Sequence, residues 1–137
     1  MKIIFLIILS IVIKNYSFSQ SEKCDTIYSN PDSLAVFSGG SIGLREFVFN
    51  ELLTVIQLKC NNEIEKISSL KIRFTINSFG EVIDAKIIQS YPDDLSEDCK
   101  NEICLKAKYL NGFKTAVNNW IPVCSYYILP ISCIKWD

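Results

Sequence analysis

The stretch 70–88 constrains this chain most. Leu70, Ile72, Phe74 and Ile76 alternate with Lys71, Arg73, Thr75 and Asn77. A period of two places each set on its own face of a strand. Asn77-Ser78-Phe79-Gly80 follows, and then a second β-rich run over 81–88. Gly80 adopts positive φ without a Cβ penalty, so it suits the end of a tight turn. The pattern predicts a β-hairpin with one face to bury, and the rest of the chain must fit that register.

Upstream, residues 42–58 read as a helix. Leu44, Phe47, Phe49, Leu52, Leu53, Ile56 and Leu58 form a broad apolar stripe, with Arg45, Glu46, Asn50 and Glu51 largely opposite. Phe37-Ser38-Gly39-Gly40 is a turn that lets Phe37 pack. A phosphate-loop reading of it lacks the Gly-Lys-Ser/Thr that such loops carry. Residues 90–98, with Pro92-Asp93-Asp94, read as a loop. A second helix is predicted over 101–119, because Leu110, Phe113, Val117 and Trp120 recur at helical spacing. Gly112 weakens it by about 1 kcal/mol relative to Ala, and Pro122 forbids its continuation. Phe113 and Trp120 are expected in the core. Residues 123–136 are β-rich. Pro130 within them marks an edge strand, since proline cannot donate to a ladder.

The expected order is therefore helix, strand, strand, helix, strand. The fold class is α+β, with a three-stranded antiparallel sheet of order 2-1-3. Both helices lie on one face, and the connection into the last strand is right-handed.

The first nineteen residues read as a signal peptide. A short basic start precedes an apolar run over 3–13, and Ser17 and Ser19 form a small-x-small cleavage site near Ser19. As a helix that run is about 16 Å long, against about 30 Å of hydrocarbon. The competing reading is an uncleaved anchor extended through Tyr16 and Phe18, which Lys14 and Asn15 interrupt. Residues 20–36 are expected to be extended or mobile, and 37–137 form the domain. Losing Lys2 and Lys14 leaves twelve of the fourteen basic residues against fifteen acidic ones, a net charge of −3. That balance disfavours nucleic acid or an anionic membrane surface as the main partner.

All six cysteines, Cys24, Cys60, Cys99, Cys104, Cys124 and Cys133, follow the expected cut. An even number in an exported chain suggests disulfides. Cys124 and Cys133 lie too far apart along one extended strand to bridge, about 30 Å if it is straight. Cys99 and Cys104 can meet only if the chain between them is not regular helix. Buried free thiols are the alternative for several of the six.

Catalysis has little to stand on. The chain has no histidine, which removes the commonest general base and metal ligand. Asp93-Asp94 and Glu97-Asp98 read as a solvated loop without Ca²⁺-ligand spacing. Cys99 and Cys104 do not form a Cys-x-x-Cys redox motif. No cofactor or metal is implied, and a hydrolase with a Ser or Asp nucleophile lacks an activating base.

Four segments, in order, resemble the C-terminal domain of TonB-type energy transducers. Phe37-Ser38-Gly39-Gly40 with Leu44 and Phe47 is similar to the family's Phe-x-Gly-Gly plus helix, and residues 70–82 to its first hairpin. Trp120-Ile121-Pro122 is similar to its Trp-x-Pro, and Tyr127-Ile128-Leu129-Pro130-Ile131 to its closing strand. The family's Pro-rich spacer is not seen, the stretch 96–109 is longer and more charged, and the cysteines are unusual. The resemblance implies a periplasmic or secreted module that captures a peptide by strand addition. The peptide would come from an outer-membrane transporter or another envelope protein. The implied docking edge is Tyr126, Tyr127, Ile128, Leu129, Ile131 and Ser132, with Tyr126 and Tyr127 as exposed anchors. An interior or self-paired strand is the competing reading, and a homodimer through this edge stays open. So does a secreted, disulfide-stabilised binding or inhibitory domain unrelated to transport.

Overall fold

A computed structural model describes residues 23–60, 67–91 and 93–132. The expected signal peptide lies outside the described residues. The hairpin forms as its alternation requires. Strand β3 (Ser69–Ile76) pairs antiparallel with β4 (Val82–Tyr91). Leu70, Ile72, Phe74 and Ile76 are all essentially fully buried. At the turn, Asn77 Oδ1 accepts from the N–H groups of Phe79 (3.0 Å) and Glu81 (2.9 Å). Gly80 has φ +83°, and a Cβ there would collide with the carbonyl oxygen of Phe113. Glycine is thus required twice over, by backbone geometry and by space.

Two register shifts, between Lys71 and Ile72 and between Thr75 and Ile76, leave Ile88 and Ile83 unpaired as bulges in β4. They let Val82, Ala85 and Ile87 share the covered face, a set that strict alternation does not connect.

Helix α1 spans 40–59. It is α-helical over Gly40–Phe47 and Leu53–Lys59, with a π-helical stretch, Val48–Leu52, between them. It buries Leu52, Leu53 and Ile56, with Leu44, Phe47 and Val48 partly covered. Phe49 and Leu58, expected on the apolar stripe, are exposed instead. The π-helical stretch shifts the phase of the helix by roughly one residue, so a stripe drawn at constant 3.6 spacing drifts off the core.

Helix α2 (Glu97–Ala107) starts earlier and ends much earlier than expected. Ser96 caps it by accepting from the Cys99 N–H at 3.3 Å, and Glu97 and Asp98 complement its N-terminal dipole. Cys99, Ile103 and Ala107 are its buried face. Lys106 reaches Glu51 of α1 at 2.7 Å.

Residues 110–120 are not helical. Gly112 (φ +98°) turns the chain into β5 (Phe113–Lys114) and β6 (Ala116–Asn118). Asn119 (φ +50°) and Trp120 (φ +67°) then form a tight turn into β7 (Ile121–Ser132). Two positive-φ residues are what a two-residue hairpin of matching twist demands. Phe113 joins the core as expected, but Trp120 is 97 % exposed. The helical spacing of Leu110, Phe113, Val117 and Trp120 was therefore a coincidence of loop and strand.

The sheet is not the expected three-stranded antiparallel one. Its centre, β7-β3-β4, has the predicted order and directions. It also takes in β1 (Ile27–Tyr28), parallel to β7, and β6, making a mixed five-stranded sheet. β2 (Val36–Phe37) pairs with β5 in a separate two-stranded sheet. There the Phe37 ring meets Phe113 at 5.4 Å, edge to face, and a Cβ on Gly39 would come within 2.6 Å of Phe37. The Phe-Ser-Gly-Gly segment is a packing turn. The buried side chains of α1 and α2 form one core cluster with the inner residues of β3. The helices cover one face of the sheet.

Candidate functional site

Strand β7 carries the candidate site, and its two ends differ. On one side it pairs with β3 along almost all of its second half, from Ile76↔Ser125 to Ser69↔Ser132. Its first half pairs with β6 through Ile121, Pro122 and Val123, and on the side away from β3 β1 takes Cys124 and Ser125. A disulfide between Cys24 and Cys124 ties the N-terminal segment to this point. Beyond it, no strand among the described residues lies alongside 126–132 on the outer side. The expected free edge is thus shortened at its start by a strand from the chain's own N-terminal part.

Pro130 sits opposite Lys71 with no break in register. Proline fits an unbroken ladder only where its nitrogen faces the open side. By alternation Ile128 and Ser132 turn their backbone N–H and C=O groups the same way. The open stretch therefore offers donors at Ile128 and Ser132 and, with Pro130, acceptors at all three.

The side chains divide by face. Leu129 and Ile131 are buried against the helices. Tyr127 packs there too, its ring 5.0 Å from that of Phe113 and 6.3 Å from that of Phe74. Burial pushes its phenol pKa above the ordinary value. Tyr127 is therefore a core-facing residue rather than an exposed anchor, because the register that buries Phe74 carries its β7 partner inward. Tyr126 and Ile128 point to the opposite face, which no described helix covers. Tyr126 is half-buried beneath Arg73, whose guanidinium carbon lies 4.4 Å from the ring centroid, and Ile128 is 49 % exposed. At the strand's end a groove of about 200 Å³ opens between Lys71, Gln89, Pro130 and Ser132. That a proline withholds one backbone donor from β7 was legible in its sequence. The contributions of Arg73, Lys71 and β1 were not, because they depend on register and on a contact between the two ends of the chain.

The cysteines fall into place by geometry. Besides Cys24–Cys124, Cys60 at the end of α1 bonds Cys99 in the first turn of α2. Cys104 is a free thiol. Burial, and secondarily Asp84, raise its pKa against the opposing effects of the Ile87 backbone and Lys108, so it is a poor nucleophile. Cys133 lies outside the described residues. Asp93 and Asp94 are exposed. Among the described residues no cluster of His, Cys, Asp or Glu could hold a metal ion.

Two disulfides belong to an oxidising, extracytoplasmic compartment. No helix among the described residues is long and apolar enough to cross a membrane. Comparison with family models, curated proteins and solved structures returned no match.

Proposed function

We propose that this chain is an exported, non-enzymatic protein-interaction module of the TonB C-terminal type. It receives an extended segment of an outer-membrane transporter or another envelope protein as an added strand beside residues 126–132 of β7. The observation that carries this reading is the one-sided pairing of that half-strand among the described residues. An edge with outward N–H and C=O groups gains ladder hydrogen bonds from an incoming strand, and side chains on alternate positions select its sequence. The strand order β7-β3-β4 and the two helices on one face agree with the resemblance in the sequence. The disulfides fit a periplasmic or secreted location. The Cys24–Cys124 tether also fits a secreted, disulfide-stabilised binding or inhibitory domain that uses the same edge without any link to transport.

Ile128→Pro tests the edge. Its nitrogen faces outward, so the substitution removes a donor from the docking side and leaves the β3 ladder whole. Strand-capture affinity for peptides from a displayed library should fall at least about tenfold, the loss expected when a ladder hydrogen bond is replaced by an unpaired partner group. The melting temperature should move little. Unchanged affinity would remove β7 from the binding site. Transporter-derived peptides enriched over random ones favour the transport reading over the inhibitor reading.

A further inference from the structure

The face of the sheet opposite the helices carries a distinct charge pattern. Residues directly opposite in antiparallel pairs share a face. The register therefore sets Lys71, Arg73 and Thr75 of β3 beside Pro130, Ile128 and Tyr126 of β7, and beside Gln89, Lys86 and Asp84 of β4. Lys71, Arg73 and Lys86 make no ion pair with any described residue. The one acid among these residues, Asp84, lies at the far end, where it faces Lys108 at 4.0 Å. The patch is thus a run of uncompensated cations on a chain whose formal charge is −1. Arg73 does not lie flat over its own strand. Its guanidinium reaches diagonally across to the Tyr126 ring, which carries positive charge to the strand bordering the open edge.

Resting on the strand-capture reading, we propose that the captured segment is acidic: an extended peptide with Asp or Glu at alternate positions, its carboxylates on the open face toward Arg73 and Lys71. An added strand lies about 4.8 Å beyond β7, within reach of a Glu side chain directed at a guanidinium already leaning over that strand. Arginine suits the task because its planar fork pairs a carboxylate while its face stays stacked on an aromatic ring. The same charges disfavour a second copy of this chain. Edge-to-edge pairing of two β7 strands would bring two like-charged faces together.

Synthetic Thr/Val heptapeptides carrying Glu, Gln or Lys at alternate positions test the proposal by titration calorimetry with the disulfide-intact protein. The Glu peptide should bind about tenfold tighter than the Gln peptide at low ionic strength, and the Lys peptide weakest. The advantage should shrink as salt rises. Arg73→Gln combined with Lys71→Gln should erase the Glu-over-Gln preference and leave Gln-peptide binding in place. Ile128→Pro should weaken all three peptides. Equal affinity for Glu and Gln peptides would overturn the acidic preference while leaving strand capture standing. Binding of no peptide, or Glu-peptide binding indifferent to Ile128→Pro, would overturn strand capture itself. Preferential binding to phosphatidylglycerol vesicles, or a concentration-dependent dimer in sedimentation that Ile128→Pro abolishes, would overturn the peptide assignment.

Discussion

The two halves of β7 are held by different means. From Ile121 to Ser125 the strand is held by β6 at Ile121–Val123, by β1 at Cys124 and Ser125 with β3 on the opposite side of Ser125, and by a covalent bond at Cys124. The N-terminal segment adds clamps there. Ser33 and Val117 exchange backbone hydrogen bonds of 2.9 and 3.0 Å, and Asp32 accepts from the Asn119 N–H at 2.8 Å. From Tyr126 to Ser132 the strand has one partner among the described residues, β3, and is secured by the burial of Leu129 and Ile131 and the ring packing of Tyr127. One strand thus combines a region tied down by the N-terminal segment at Cys124 and Ser125 with a region that core packing holds in place and along whose outer side no described strand lies. Rigidity without edge protection is what a strand-docking surface requires, since the ordering entropy of the receiving edge is already spent on folding.

The largest test of this contrast removes the packing that secures the open half. Phe74 is fully buried under Tyr127 and Phe113. Phe74→Ala should cost about 3–5 kcal/mol by the cavity it leaves, read by urea denaturation. A loss under about 1 kcal/mol would mean that packing does not hold this half. Next comes the closed half. Cys24→Ser with Cys124→Ser should destabilise by about 2–4 kcal/mol, since the bond spans a sequence separation of 100. Amide exchange should accelerate at Ile27 and Tyr28 while Leu129 and Ile131 stay protected. Equal acceleration in both halves would show that the contrast is false.

The smallest effect is alkaline. The Tyr127 phenol has a raised folded-state pKa, so above about pH 10, the unfolded value, the folded state binds more protons than the unfolded state. Stability then falls as pH rises toward the folded pKa. Tyr127→Phe should flatten that decline in a pH series of melting curves, and no change in slope would place the ring in solvent.

Much of the architecture was legible in local pattern. The period-two run over 70–76 gave β3 and its buried face. Asn77 and Gly80 gave the turn, and the apolar stripe gave most of α1. Direction alone then ordered β4, β3 and β7. Pattern failed between Leu110 and Trp120, where apolar residues fell by chance at helical spacing while Gly112 and the Asn119-Trp120 turn broke the chain into short strands. Those strands exist because β2 and β7 are there to pair with them. A two- or three-residue strand has no periodicity of its own to read.

The amino-acid order by itself determined the hairpin, its inward face and the proline that marks β7 as an edge, because each follows from backbone sterics and a period-two repeat. Only the tertiary structure decided which part of that edge stays open. The closure depends on Ile27, Tyr28 and Cys24 meeting Cys124 and Ser125 from the far end of the chain. It also decided that Tyr127 turns inward while Arg73 leans out over Tyr126. Such choices are made by register and long-range pairing, whose energies arise between segments that no local window of the sequence contains together.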